Sequence, residues 1–148
     1  MGHPEQILKT AKTILLVDWP DPGVPATLIK AGFTVYGYSP GRYSVASLIT
    51  NQPDATEGQS IFPVQNGDEK VYLVFQKLDD RPYSVDIVNI YRPEGELAGI
   101  ITNHVLPLKA KVLWLHPPVT SVWARDFAAG HGLIFIEGTN IAEIATKI

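Results

Sequence analysis

The sequence predicts a three-layer α/β domain whose central sheet is mostly parallel. Short apolar runs alternate with helix-like stretches in the second half of the chain, at 85–91, 111–116 and 133–136. The runs are rich in β-branched or aromatic residues, and such alternation is typical of parallel sheets covered on both faces. Ligands of such sheets bind beyond the carboxyl ends of the strands, so the residues after each run are the first candidates for function.

The first elements of the chain are a helix, a strand, a second helix and a second strand. We expect them at 4–11, 13–19, 25–31 and 33–38. The first strand is apolar along most of its length, which favours a central position in the sheet. Pro25 suits the first position of a helix, where a missing N–H costs nothing, and Gly32 suits the residue after its end.

The middle of the chain has the least regular pattern. A short helix is expected at 44–50 and a loop at 51–60. Two strand-like runs flank Asn66-Gly67, a pair that favours a tight hairpin turn. We therefore predict that an antiparallel hairpin is inserted there, around 60–75.

The remainder of the chain returns to a regular alternation of strand and helix. Helices are expected at 94–106, 119–129 and 140–147. Gly130 and Gly132 suit the end of the second of these helices, and Thr139 or Asn140 can cap the third. The whole chain, 1–148, is therefore predicted to be a single domain of ordinary size.

Composition argues against several classes of function. The net charge of −3 provides no electrostatic case for binding nucleic acid or an anionic membrane. Because the chain has no cysteine, disulfides, thiolate metal sites and a cysteine nucleophile are excluded. No segment approaches the ~18 consecutive apolar residues of a membrane span, and no signal peptide is visible. These features favour a cytoplasmic location.

No pattern of a catalytic centre or a metal site is recognisable. The four histidines lie in distant segments without metal-ligand spacing, and the nucleophile-elbow motif G-x-S-x-G is absent. His116 follows a strand, where a base or a ligand contact would lie, or it is a loop residue without function. His104 is expected on a helix at the surface or in packing, His131 at the opposite edge of the sheet, and Asp86 at the start of a strand.

The turn after the first strand is the usual phosphate site of this architecture, because helix N-termini offer free N–H groups. Here the turn contains three prolines, which lack that donor, and a single glycine. The possible N–H donors that remain are Trp19, Asp21, Gly23, Val24, Ala26 and Thr27. The Asp21 carboxylate opposes a phosphate unless it points away or caps the helix, so a rigid capped turn without a ligand is the alternative interpretation.

The end of the second strand lacks the acidic residue with which NAD sites hold the ribose hydroxyls. Ser39, Pro40 and Arg42 lie there instead, followed by Tyr43. Arg42 can pair with a phosphate on the ribose, as in NADP or coenzyme A, while Tyr43 stacks on a base. A solvated surface arginine is the alternative.

Several segments resemble a known family. They are Ala31-Gly32-Phe33-Thr34-Val35-Tyr36, Asp86-Ile87-Val88-Asn89-Ile90-Tyr91-Arg92-Pro93 and Lys111-Val112-Leu113-Trp114-Leu115. With them the chain resembles the small single-domain CoA-binding proteins, which are relatives of the CoA-binding domain of succinyl-CoA synthetase. The resemblance implies a Rossmann-like fold that holds coenzyme A across the carboxyl edge of the sheet.

The resemblance also implies roles for residues at the strand ends. The first turn would receive the phosphates, the end of the second strand would meet the adenosine, and the loop after the Arg-Pro strand would lie along the pantetheine arm. In that order the residues are Trp19, Asp21, Gly23, Val24 and Pro25; Ser39, Pro40 and Arg42; and Tyr91, Arg92 and Pro93 with His116 and Pro117.

The chain departs from the family pattern at four points. Asp18-Trp19-Pro20-Asp21-Pro22 replaces a turn of small residues, and Tyr38-Ser39-Pro40 replaces Val-Asn-Pro. His116-Pro117-Pro118 replaces a glutamine with a glycine. A cysteine common near the last strand is absent, and its place lies near Thr139-Asn140.

Three functions are compatible with these observations. The first is a non-catalytic module that binds coenzyme A or an acyl-CoA as its small-molecule partner. The second is an enzyme on the same scaffold, linked to NADP or to acyl transfer, with His116 or Arg92 in its site. The third is a degenerate family member that acts as an interaction protein through the insertion at 44–80. Trp123, on a helix, is a candidate for packing or for a contact between copies in a homo-oligomer.

Overall fold

The computed structural model describes residues 3–39, 41–50, 59–66 and 69–148. Within them, eight strands form one sheet in the order β4-β5-β3-β2-β1-β6-β7-β8. The strands are β1 (Thr13–Val17), β2 (Thr34–Tyr38), β3 (Tyr43–Ile49), β4 (Gln59–Asn66), β5 (Glu69–Lys77), β6 (Ile87–Ile90), β7 (Val112–Leu115) and β8 (Ile134–Ile136). Helices lie on both faces, so the predicted Rossmann-like α/β fold is confirmed.

The parallel half of the sheet contains β2, β1, β6, β7 and β8. β1 pairs with β2 on one side and with β6 on the other, so the strand order reverses its direction there. In open α/β sheets, a ligand crevice forms beyond the carboxyl ends of the strands at this point of reversal. The topology therefore directs attention to the residues that follow β1 and β6.

The antiparallel half corrects one predicted element. The helix expected at 44–50 is wrong, because this stretch is β3, which pairs antiparallel with β2 and with β5. Ser44 and Ala46 are buried while their neighbours are more exposed, which matches the two-residue period of a strand. The predicted hairpin is found as β4 and β5. Its turn at 67–68 and most of the loop expected at 51–60 lie outside the described residues.

The helices are α1 (Pro4–Thr10), α2 (Gly23–Lys30), α3 (Leu97–Ile100), α4 (Val122–Gly130) and α5 (Ile141–Ala145). The continuous helix expected at 94–106 is instead segmented: a 3-10 turn precedes α3, and a π-helical turn follows it at Ile101–Val105. Gly95 and Gly99 weaken an α-helix here, and the Leu106 N–H donates to the Ile101 carbonyl at 3.0 Å, five residues back.

Capping residues define where two helices begin. Ser121 Oγ accepts from the Ala124 N–H at 3.0 Å, and Asn140 Oδ1 accepts from the Ala142 N–H at 2.9 Å. The predicted cap at 139 or 140 is therefore confirmed as Asn140. Among the helices of the described ranges, none is long and apolar enough to cross a membrane.

The core has one layer on each face of the sheet. Every residue of β6 and β7 is buried, as their continuous apolar runs predict. One face packs under α1, α2 and α5 around Leu16 and Trp114, and the other packs under α3 and α4 around Leu15 and Leu113. The Trp114 Nε1–H donates to the Thr139 carbonyl at 2.9 Å, which fastens β7 to the cap of α5.

Asp86 joins β1 and β6 at their amino ends. Its carboxylate accepts from the backbone N–H of Lys12 at 2.7 Å and of Thr13 at 3.1 Å, and from the Thr13 hydroxyl at 3.3 Å. Partial burial would raise the pKa of Asp86, but these hydrogen bonds outweigh it and hold the pKa below its ordinary value. Asp86 therefore has a structural role at the edge opposite the ligand crevice.

Candidate functional site

Arg92 lies at the point where the strand order reverses, between two carboxylates. Its Nη1–H donates to Asp18 Oδ2 at 3.0 Å, and its Nε–H and Nη2–H donate to the two oxygens of Glu96 at 3.0 and 2.8 Å. Hydrogen bonds to Glu96 and then to Asp18 raise the pKa of Arg92, so it is charged at any physiological pH. We call Asp18, Arg92 and Glu96 the central triad, and its formal charge is negative.

The backbone N–H groups at the start of α2 donate to acceptors within the first turn. Asp21 Oδ1 accepts from the Gly23 N–H at 2.8 Å, and the Asp21 carbonyl accepts from the Val24 N–H at 3.3 Å. Pro25 has no N–H, and the Ala26 N–H donates to Pro22 at 3.2 Å. A Cβ on Gly23 would lie only 2.7 Å from the Asp21 oxygen, so glycine permits this cap. The N-terminus of α2 is therefore satisfied by the chain itself.

Trp19 leaves the first turn and packs on the sheet. Its ring stacks on Phe75 of β5, with centroids 4.7 Å apart and planes 14° apart. The two rings meet over Gly37 of β2, where a Cβ would lie 3.0 Å from each. Trp19 thus connects the end of β1 to the extension, as we name β3, β4 and β5 together.

Three adjoining cavities follow the carboxyl edge of the sheet. The large cavity, about 550 Å³, lies between Asp18, Tyr91, Arg92, Pro93, Pro118 and Val119. The linking cavity, about 250 Å³, shares Asp18 and Arg92 with it and is also lined by Tyr38 and Ser39. The corner cavity, about 160 Å³, shares Ser39 with the linking cavity and is also lined by Trp19, Arg42, Ser44, Ser60, Phe75 and Lys77.

His116 lies behind the wall of the large cavity. It is 2% exposed, its Nδ1 lies 3.4 Å from Asn89 Nδ2, and its ring meets the edge of Tyr91 at 5.6 Å. Burial lowers the pKa of His116, while Asp21 and Glu143 oppose that shift. The neutral form is therefore favoured, and His116 supports Tyr91 from within the core.

A comparison with protein families finds one match, to a family described as a CoA binding domain, over residues 32–144. The chain belongs to this family of CoA-binding domains. The match begins at Gly32, so β1 and the first turn, with Asp18, Trp19 and Asp21, lie outside the matched residues.

Solved structures show the same fold at low sequence identity. A Thermus thermophilus protein called cell-free ID.343 is 17% identical, with a TM-score of 0.59 over 95% of this chain and 92% of that one. Prb, described as the PH1109 protein redesigned for binding, is 17% identical, with a TM-score of 0.65 over 97% and 88%. A third, uncharacterised protein is 16% identical, with a TM-score of 0.56 over 93% and 95%. No curated protein matches the chain.

The CoA-binding domain brings most of the predicted site residues to one edge. Tyr91, Arg92 and Pro93 line the large cavity, while Trp19, Ser39 and Arg42 line the corner cavity. Pro40 lies outside the described residues. These residues remain predicted ligand contacts, as do Asp21, Gly23, Val24 and Pro25 of the first turn and His116 and Pro117 behind the large cavity.

Asn89 and Lys77 were not predicted as site residues from the sequence. Asn89 is fully buried, and its Oδ1 has no partner among the described residues. A single polar side chain inside an apolar run was a signal that could have identified it. Lys77 lines the corner cavity only because β5 pairs with β3, with Lys77 opposite Ser44. The helix that the sequence predicts at 44–50 cannot form this pair, so the sequence does not place Lys77 at the site.

A cluster of rings borders the linking cavity on the α3 face. The Tyr43 hydroxyl and His104 Nδ1 are hydrogen-bonded, and the Tyr38 ring lies 4.1 Å from the His104 ring. His104 is 8% exposed, which agrees with the packing role expected for it. Burial, and after it Arg81, lower the pKa of His104, so the ring is neutral and accepts from Tyr43.

His131 contributes to no cluster of possible metal ligands. It is exposed after α4, and its ring stacks on Phe127 with centroids 3.8 Å apart. Within the described ranges, no three His, Asp or Glu side chains are grouped closely enough to bind a metal ion.

Proposed function

We propose that this protein binds coenzyme A or an acyl-CoA along the carboxyl edge of its sheet, without chemistry of its own. The observation that carries the proposal is the continuity of the three cavities along that edge. An extended ligand with an apolar arm and a phosphorylated end needs a site with these two different ends. Membership of the CoA-binding domain family supports the same ligand class.

The large cavity suits the pantetheine arm and an acyl group. Its volume of about 550 Å³ lies within the usual range of ligand pockets, ~300–1,000 Å³. Tyr91, Pro93, Pro118 and Val119 provide apolar surface. The polar lining residues are Asp18, Arg92, Glu94 and Thr120. Such a mixture binds an amide-containing chain through apolar contact and a few directed hydrogen bonds.

The adenosine end belongs at the opposite end of the edge. Arg92 already donates to two carboxylates, and the N-terminus of α2 is satisfied by Asp21, so the centre offers little to a phosphate. Arg42 lines the corner cavity, and its guanidinium has no ion pair within the described part of the chain. The charge of the ligand is therefore best accommodated at the corner.

The position of His116 favours binding over catalysis. With only 2% of its surface exposed, it has no open path to a bound thioester. It supports Tyr91 instead, through an edge-on contact between the rings. His116 is therefore not a base in contact with the large cavity.

Titration calorimetry with CoA, acetyl-CoA, ATP and NAD tests the proposal. We expect CoA and acetyl-CoA to bind, and to stabilise the fold by about 2.7 kcal/mol at a hundredfold excess over Kd. Val119→Trp should fill the large cavity and weaken CoA, while Val122→Trp, exposed on α4, is the matched control. Absence of binding at millimolar CoA would refute the proposal.

A further inference from the structure

We infer that Lys77 and Arg42 form a two-cation site in the corner cavity that selects ligands bearing a phosphate monoester on an adenosine ribose. The inference rests on the proposed function, because it assumes that the adenosine end lies at this corner. Its new element is Lys77, which the extension supplies and which makes the extension part of the binding site.

The extension brings Lys77 to the cavity through its strand register. Lys77 of β5 lies opposite Ser44 of β3 in their antiparallel pair. Ser44 is two residues after Arg42 in the chain. Residues that face each other in such a pair point to the same side of the sheet. Arg42, which directly precedes β3, and Lys77 of β5 therefore reach the same cavity, and both line it.

Neither charged group is paired with a carboxylate of the residues that the structure describes. Exposed Lys9 also has no ion pair in the described ranges, but Arg42 and Lys77 share a cavity with Ser39, Ser44 and Ser60. Two like charges that face one cavity favour an anion between them, since it relieves their repulsion.

A phosphate monoester matches this pair better than a diester does. It carries about −1.5 to −2 charges at neutral pH and three acceptor oxygens, so it can satisfy both cations at once. Arginine binds two of the oxygens in a planar fork, while lysine contributes a point charge. The cavity volume of about 160 Å³ suits one group of a ligand rather than a whole ligand.

Ring surfaces beside the cations indicate what the phosphate is attached to. Trp19 and Phe75 stack on each other in the wall of the same cavity, and Phe62 meets Phe75 edge-on at 6.1 Å. Aromatic walls beside a phosphate site suit an adenine ring. The combination of rings, hydroxyls and two cations points to a phosphorylated adenosine, as found in CoA and in NADP.

The test compares ligand pairs that differ by this one phosphate, using calorimetry on the full chain. The pairs are CoA with dephospho-CoA and NADP with NAD, and adenosine 3′,5′-bisphosphate is the probe without an arm. We expect CoA to bind at least about tenfold more tightly than dephospho-CoA. Lys77→Met and Arg42→Met should each remove most of that preference, because each should weaken CoA binding more than dephospho-CoA binding.

Lys70→Met is the matched control, because it removes the same charge from the same strand at an exposed position outside the cavity. It should keep the full preference for CoA. All three substitutions alter exposed side chains, so unfolding midpoints should stay close to that of the parent protein.

The outcomes separate this inference from the proposed function. If the parent protein binds CoA and dephospho-CoA equally, or if both variants keep the preference, the two-cation site is refuted while CoA binding stands. If only adenosine 3′,5′-bisphosphate binds, and depends on Lys77, the site stands while the proposed function fails. If the preference for NADP over NAD exceeds the preference for CoA over dephospho-CoA, the site is assigned to a phosphorylated dinucleotide.

Discussion

The central triad and the corner cavity differ in how their cations are paired. At the centre, Arg92 donates three hydrogen bonds to Asp18 and Glu96, so its cation is neutralised by the protein. At the corner, Arg42 and Lys77 line one cavity, and no carboxylate of the described chain is paired with either. The centre therefore resembles a closed structural unit, and the corner resembles a site prepared for an anion.

The contrast follows from the two halves of the sheet. A parallel strand followed by a helix normally offers free N–H groups at its turn. Here Asp21 and two of the prolines leave none of the first four positions of α2 open. The antiparallel extension compensates, because it places Lys77 of a neighbouring strand beside Arg42. In the proposed site, the anion therefore binds at the junction of the two halves rather than at the first turn.

The largest expected effect concerns the wall of the corner. Gly37→Ala places a Cβ about 3.0 Å from both the Trp19 and the Phe75 rings. We expect a loss of about 1–3 kcal/mol in the free energy of unfolding, because both packed rings must shift to make room for the added methyl group. Urea denaturation followed by tryptophan fluorescence measures it. Gly99→Ala, where a Cβ meets nothing within 4 Å, should be neutral or slightly stabilising; equal effects would contradict this account.

The second prediction tests whether pairing with Glu96 prevents Arg92 from contacting a ligand. Glu96→Gln removes the charge that holds two of the three donors of Arg92. CoA affinity should rise about three- to tenfold, or about 0.6–1.4 kcal/mol, because Arg92 becomes free to contact the diphosphate. Glu5→Gln is the control, because it removes one charge at an exposed position of α1 that lines none of the three cavities. If both variants gain equally by calorimetry, net charge rather than the release of Arg92 is responsible.

The parallel half could be predicted from the sequence because its central strands, β1, β6 and β7, are buried on both faces. Continuous apolar runs such as 85–91 and 111–116 have few alternatives in a chain of this size. The ends of those runs identified Tyr91, Arg92 and Pro93 as residues of the edge. The sequence could not indicate that Glu96 binds Arg92, since that contact depends on the irregular turn after Pro93.

The extension was harder to predict because its pattern is ambiguous. Residues 44–50 mix small and apolar residues with no clear period, and only pairing with β2 and β5 selects a strand. Lys77 was therefore missed, although Arg42 was identified. A cap by Asp21 is one of the two interpretations that the sequence allows for the first turn, and the observed geometry agrees with it.

The third prediction concerns the closed first turn. Asp21→Ala removes the acceptor of the Gly23 N–H and should destabilise the protein by about 0.5–2 kcal/mol. Asp21→Asn keeps an acceptor and should cost little, and its lost charge should let CoA bind slightly more tightly. Thermal unfolding of both variants measures the difference. Asp80→Ala, in an exposed turn, is the control, and equal stability of the Ala and Asn variants would mean that no cap exists.

The smallest expected effect lies in the wall between centre and corner, where the Tyr38, Tyr43 and His104 cluster borders the linking cavity. Burial lowers the pKa of His104 below 6.5, so the unfolded chain binds more protons than the folded protein between the two pKa values. His104 therefore makes stability fall as pH drops from about 6.5 toward the lower pKa of the folded state. Buried His116 acts in the same direction.

His104→Phe combined with Tyr43→Phe removes this titration and leaves no hydroxyl without its acceptor. The unfolding midpoint of the double variant should vary less between pH 7 and pH 5 than that of the parent protein, by a few degrees. The remaining slope should persist, since His116 is unchanged. If the unfolding midpoint of the double variant depends on pH as strongly as that of the parent protein, His104 does not contribute. The loss of stability in acid would then be assigned to His116.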